Sequence, residues 1–117
     1  MASYPVVVVT GPRQSGKTTL VRSVAPDAAY LSLEDPDTRA FAMEDPRGFL
    51  RQLGSKTILD EVQRCPSLFS YLQGSVDADP RPGRFLLTGS SQFEMMGAIT
   101  QSLAGRAGLL TLLPFSL

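Results

Sequence analysis

The chain opens with an uninterrupted β-branched run, Val6-Val7-Val8-Val9-Thr10. Such a run has no polar face, so it predicts a strand covered on both sides. After a polar, glycine-bearing stretch, Lys17–Val24 reads as a short helix that ends near Pro26. Ala29–Leu33 predicts a second strand. Pro36–Ala42 and Pro46–Leu53 each carry proline in the first turn and an aspartate before it, Asp35 and Asp45. That pattern predicts two capped helices, the second closed by Gly54. Thr57-Ile58-Leu59 is a third strand that runs directly into Asp60-Glu61. Pro66–Asp77 predicts a helix whose apolar stripe is Leu68, Phe69 and Leu72. Asp79-Pro80-Arg81-Pro82-Gly83 is a loop. Phe85-Leu86-Leu87 is a fourth strand, followed by Thr88-Gly89-Ser90-Ser91. Phe93–Leu103 predicts a helix with Met95, Met96, Ile99 and Leu103 as core positions. A turn over Gly105–Gly108 leads to a fifth strand, Leu109–Leu113.

Strands alternating with helices predict an α/β fold, a parallel sheet of about five strands with helices on both faces. Ligands of such sheets bind outside the carboxyl ends of the strands. Those ends carry the stretch before Lys17, the pair Asp60-Glu61, and Thr88-Gly89-Ser90-Ser91. The polar chemistry therefore falls where this fold class places a site.

The stretch itself is specific. Residues 11–18 read Gly-Pro-Arg-Gln-Ser-Gly-Lys-Thr, the pattern G-x-x-x-x-G-K-[ST]. A strand that stops at a glycine-rich turn and re-enters a helix leaves several backbone N–H groups facing one small concavity. The helix N-terminus adds partial positive charge there. Gly11, Pro12, Arg13, Gln14, Ser15, Gly16, Lys17, Thr18 and Thr19 form the expected phosphate-binding set. Lys17 can reach terminal phosphates, and the Thr18 hydroxyl can ligate magnesium. Arg13 can contact phosphate, pair with an acid, or merely cover the loop.

Asp60 and Glu61 extend the picture. An aspartate at a strand tip beside a phosphate loop can hold magnesium. A carboxylate one residue further on can orient and activate an attacking water. The plainer alternative is that the pair caps a helix at Val62. A hydroxyl in Thr88–Ser91, Ser90 among them, can meet the terminal phosphate or the water. Equally, that stretch can be an ordinary strand-to-helix turn with Ser91 as N-cap. Arg106 can stabilise transition-state charge across a subunit interface, or be a surface ion-pair residue.

Composition narrows the classes. A chain of 117 residues with 43% hydrophobic and 19% charged residues is an ordinary globule, one domain over residues 1–117. Eleven basic and eleven acidic residues balance, which argues against electrostatic nucleic-acid binding as the main task. The absence of histidine excludes His-based catalysis and His-ligated metals. The single Cys65 cannot form an internal disulfide and reads as a packing residue rather than a reactive thiol. No membrane span or secretory leader is visible, so the expected location is cytoplasmic. The apolar end, Thr111–Leu117, predicts a fragment of a longer protein.

Together these residues resemble the AAA-type ATPases of the P-loop superfamily, in the branch with an added catalytic glutamate. More narrowly the chain is similar to a bacterial and archaeal family of ATP-binding proteins. Its members carry G-P-R-Q-x-G-K-T-T-L, L-D-E-x-Q, L-T-G-S-S, S-L-A-G-R and L-x-P-x-S. Here these are Gly11–Leu20, Leu59–Gln63, Leu86–Ser91, Ser102–Arg106 and Leu112–Ser116, in the same order. The resemblance implies a three-layer P-loop NTPase fold with ATP and Mg2+ as cofactors. It implies phosphate and magnesium roles for Gly16, Lys17 and Thr18, and magnesium and water roles for Asp60 and Glu61. It further implies a phosphate-sensing role for Ser90 or Thr88, and an arginine-finger region around Arg106. It also implies a second domain downstream, through which a protein partner would be engaged, and an oligomer. The function expected is ATP hydrolysis driving a motor or switch. The competing expectations are a catalytically weak nucleotide-binding interaction module and a small-molecule kinase. A GTPase is disfavoured because the chain has no asparagine for an N-K-x-D element.

Overall fold

The computed structural model describes residues 4–11, 16–54, 56–90, 97, 103 and 105–111. The loop residues Pro12, Arg13, Gln14 and Ser15, the hydroxyl at Ser91, most of the helix expected over 93–103, and positions 112–117 lie outside the described residues.

The strands are β1 (Val6–Thr10), β2 (Ala29–Ser32), β3 (Thr57–Asp60), β4 (Phe85–Gly89) and β5 (Ala107–Thr111). They form one sheet in the order β2-β3-β4-β1-β5, with all neighbours parallel. The α-helices are α1 (Lys17–Val24), α2 (Pro36–Glu44), α3 (Pro46–Arg51) and α4 (Leu68–Ala78). The connection leaving β1 runs toward β2, whereas the one leaving β4 crosses β1 to reach β5. The crevice between the carboxyl ends of β1 and β4 is therefore the topological switch point.

Two apolar clusters make the three layers. Alternation along the strands sends Val6, Val8, Leu59, Phe85 and Leu87 to one face, against Ala42, Phe49, Leu68, Phe69, Leu72 and Val76. The opposite set, Val9, Ile58 and Leu86, packs on Val21 of α1. Both faces are covered, which is why β1 needs no polar position until Thr10. Leu72 is fully buried in the larger cluster; cutting such a side chain to alanine costs about 2–5 kcal/mol.

The helix boundaries follow the caps. The Asp35 carboxylate accepts from the Thr38 N–H at 3.0 Å, and Asp45 accepts from the Gly48 N–H at 3.1 Å. Asp35 is held below the ordinary carboxylate range by these Thr38 hydrogen bonds. Several ends shift by one or two residues, and among the described elements two starting residues differ from expectation. Helix α4 begins at Leu68 rather than Pro66 because the chain first makes a 3-10 turn, Val62–Arg64, and further i→i+3 bonds through Cys65 and Pro66. Strand β5 begins at Ala107 rather than Leu109, because pairing with all of β1 starts at Val6↔Ala107. Hydropathy alone gave no weight to the Ala107-Gly108 pair.

Candidate functional site

Gly16 opens α1 in the left-handed conformation, φ 83°, a backbone state that glycine adopts freely. Its carbonyl accepts from the Leu20 N–H at 2.9 Å, so the helix starts immediately behind it. This turn points Lys17 and Thr18 to the carboxyl edge of the sheet. At the other end of the loop, the Gly11 N–H donates to the Gly89 carbonyl at 3.3 Å. That amide ties the loop to β4 and is not turned toward a ligand.

Asp60 ends β3 on the face that α1 covers. The Thr18 hydroxyl donates to Asp60 Oδ1 at 3.5 Å, and the Tyr30 hydroxyl donates to Asp60 Oδ2 at 2.6 Å. Thr88, the β4 residue beside it, also donates to Oδ1. Three hydroxyls from α1, β2 and β4 thus converge on one nearly buried carboxylate. Burial first, then the bond to Asp60, push the Tyr30 phenol well above its ordinary range, with the Arg22 guanidinium opposing. Arg22 lies 4.6 Å from the centre of the Tyr30 ring.

Glu61 adopts φ 53° and ψ 47°, and is the one non-glycine residue with positive φ among the described residues. A side chain in this region costs about 1–2 kcal/mol. Its side chain makes no cap hydrogen bond to the turn that follows. Instead its Oε2 lies 3.9 Å from the Lys17 ammonium, with both side chains only 6% exposed. Its Oε1 accepts from the Ser90 hydroxyl at 2.8 Å and from the Gln63 amide at 2.9 Å. Glu61 thus occupies the N-cap position of the 3-10 turn Val62–Arg64, as the capping alternative had it, but its side chain is engaged with Lys17, Ser90 and Gln63.

The structure brings together Lys17, Thr18, Asp60, Glu61, Thr88 and Ser90. Thr19 is exposed on α1. Arg106 is not in this group. It precedes β5 at the amino edge of the sheet, and its guanidinium donates to Asp77 at 2.6 and 3.1 Å. That pairing holds Asp77 below the ordinary carboxylate range. Tyr30 and Gln63 are additions that the sequence reading did not single out. Gln63 stood inside L-D-E-x-Q and carried the better signal. A tyrosine in a four-residue strand carried almost none.

All the converging side chains offer oxygen or ammonium groups. No cluster of three or more His, Cys, Asp or Glu residues able to hold a metal is present among the described residues. Nor is any helix among them long and apolar enough to cross a membrane.

Comparison with known proteins gives three findings. A family model described as an AAA domain matches residues 3–117. Uncharacterized proteins of Mycobacterium bovis and Mycobacterium tuberculosis are each 43% identical over 111 residues. Each alignment covers 92% of this chain and 25% of the relative, so the chain spans about a quarter of the length of these relatives. The solved structure of a Walker-type ATPase of Pyrococcus abyssi superposes with a TM-score of 0.60 at 18% identity. That match covers 97% of this chain and 50% of the other, and at this identity it speaks to the fold.

Proposed function

The chain belongs to the AAA domain family of P-loop ATPases, and from that premise we propose that it binds ATP and hydrolyses it with magnesium. The observation that carries the reading is the approach of Thr18 to Asp60 at 3.5 Å, beside Lys17 and Glu61 at 3.9 Å. Each pair joins the loop's helix to the tip of β3, two strands away.

The donor set fits magnesium. Thr18 and Asp60 supply hard oxygens, and too few protein ligands are present to close a shell. Magnesium characteristically takes one or two protein ligands and completes its octahedron with phosphate and water. When bound, ATP and magnesium supply a phosphoanhydride bond and a cation that neutralises charge on the terminal phosphates.

The chain's own residues do the remainder. Thr18 Oγ1 and the Asp60 carboxylate hold the metal side of the site. Tyr30 and Thr88 orient Asp60 from behind. Lys17 offers its ammonium to the terminal phosphates, and backbone N–H groups at the start of α1 face the same charge. Glu61 takes a proton from a water placed for in-line attack, while Ser90 and Gln63 fix the direction of its carboxylate. In this reading Lys17 and Glu61 release each other when nucleotide enters, because both act on it. Arg106, held at the far edge, serves a nucleotide only on a neighbouring subunit. We assign the domain to the cytoplasm, where a lone thiol such as Cys65 stays reduced. In this reading the hydrolysis drives a motor or switch.

The test is a pair of measurements on the chain with ATP and magnesium. Lys17→Ala should abolish measurable binding, and Glu61→Gln should bind while losing turnover by about 100-fold or more. Phosphate release without an added acceptor separates hydrolysis from small-molecule kinase activity. Binding without any turnover in the parent chain would reduce the assignment to a nucleotide-binding module.

A further inference from the structure

A second concave feature lies away from this site. It is a groove of about 900 Å³ between α3 and α4. Arg47 and Arg51 line it from α3, Tyr71 from α4, and Arg84 from the segment entering β4. Arg84 stands four residues before Thr88, so along the strand the groove reaches the opposite edge of the sheet, about 13 Å from Asp60's neighbour.

The lining has three arginines and no carboxylate. Arg84 is anchored: it donates to the Ser75 carbonyl at 2.7 Å and the Asp79 carbonyl at 3.3 Å. Its Nε lies 4.0 Å from the Asp79 carboxylate, which Arg81 engages more closely. Arg47 and Arg51 differ. Both are exposed, and neither forms an ion pair among the described residues. They stand one helical turn apart, so their guanidinium groups share one face. Arg47 lies 5.7 Å from the centre of the Tyr71 ring, and the ring is 37% exposed. Half-buried Leu53 supplies an apolar wall. Gly74 leaves the α4 side open, since a Cβ built there meets nothing within 4 Å.

We propose that this groove docks an acidic peptide segment of a protein partner, with Arg47 and Arg51 pairing its carboxylates and Tyr71 and Leu53 receiving an apolar side chain between them. Paired, forked guanidinium groups suit carboxylates. Charge complementarity selects the occupant: the cations are gathered in one confined hollow and are all arginine. A nucleic-acid track needs a row of basic residues along a backbone, whereas this chain's eleven basic residues are matched by eleven acidic ones. The proposal is independent of nucleotide.

The experiment is fluorescence anisotropy with a labelled peptide, Glu-Glu-Leu-Phe-Glu-Glu, titrated with the chain in the absence of nucleotide. Saturable binding that weakens with salt is expected. Arg47→Glu/Arg51→Glu should weaken it by about tenfold or more, as loss of paired charge contacts does. Gly74→Leu should block it sterically. Leucine is a better helix former than glycine, so an unchanged or raised melting temperature shows that the variant is folded. A single-stranded oligonucleotide of equal charge is the second arm. Tighter binding of the oligonucleotide overturns the proposal and assigns the groove to nucleic acid. Absence of saturable peptide binding, or equal binding by the folded variants, overturns it outright.

Discussion

The Lys17 ammonium and the Glu61 carboxylate stand 3.9 Å apart, each almost fully enclosed. One opens α1 and the other follows the tip of β3, so the two halves of the proposed site are electrically coupled before any ligand arrives. Removing Lys17 leaves the buried Glu61 carboxylate without this counter-charge, at a cost of about 1–3 kcal/mol. Lys17→Met should therefore lower thermal stability, and adding Glu61→Gln should restore part of the loss. Urea melts of the two single variants and the double variant read the coupling directly. Strict additivity would remove the pair from the account.

The left-handed backbone at Glu61 gives a second expectation. Glycine relieves this conformation and alanine does not. Glu61→Gly should be more stable than Glu61→Ala by about 1 kcal/mol. Both should lack turnover. Equal melting midpoints would mean that the backbone relaxes once the carboxylate is gone.

Tyr30 should act through Asp60. Outer partners of metal-holding carboxylates typically influence metal affinity by about 10–100-fold. Tyr30→Phe should weaken the magnesium-dependent part of ATP binding while leaving magnesium-free binding unchanged. Alkaline titration offers an independent check. The Tyr30 hydroxyl is held above its ordinary range by burial and by Asp60. Its contribution to stability is thus complete below the unfolded phenol value of about 10 and is lost as pH rises through the folded value. Tyr30→Phe should remove that alkaline component of the stability curve.

Arg106 and Asp77 predict the opposite pH direction. Hydrogen bonding by Arg106 lowers the Asp77 carboxyl. The stabilisation is present above the unfolded aspartate value of about 3.9 and is lost as pH falls through the folded value. Arg106→Ala should flatten this acid limb slightly, as an exposed pair allows. It should leave ATP binding by the isolated chain unchanged. Turnover that rises more than linearly with protein concentration, and loses that rise in the variant, would identify action across an interface.

Most of the scaffold could be read from local signals. The valine run, the two Asp-Pro caps and the helix start behind Gly16 each depend on neighbours in sequence, and each formed where expected. The pairing of Asp60 with Thr18 followed from the motifs because strand ends in this fold share one edge. The hydroxyls of Tyr30 and Thr88 could not be assigned in that way. Their partner is fixed by strand order and register, here Ser32↔Asp60 and Leu59↔Leu87, which hydropathy does not encode. The same limitation shifted β5 by two residues. Glu61's conformation was equally hidden, since glutamate has no preference for positive φ. Arg106 shows the converse: its place in S-L-A-G-R drew attention, but Asp77, twenty-nine residues away, claims its guanidinium.

The insertion of β4 between β1 and β3 acts as a ruler. Two strand spacings, about 10 Å in all, separate the tip of β1 from the tip that carries Asp60 and Glu61. That width is set by backbone hydrogen bonds, which side-chain substitution does not stretch. Substituting Thr88, Tyr30 or Gln63 therefore changes the contacts within the gap and not its width. The gap that the reacting group must fit stays the same.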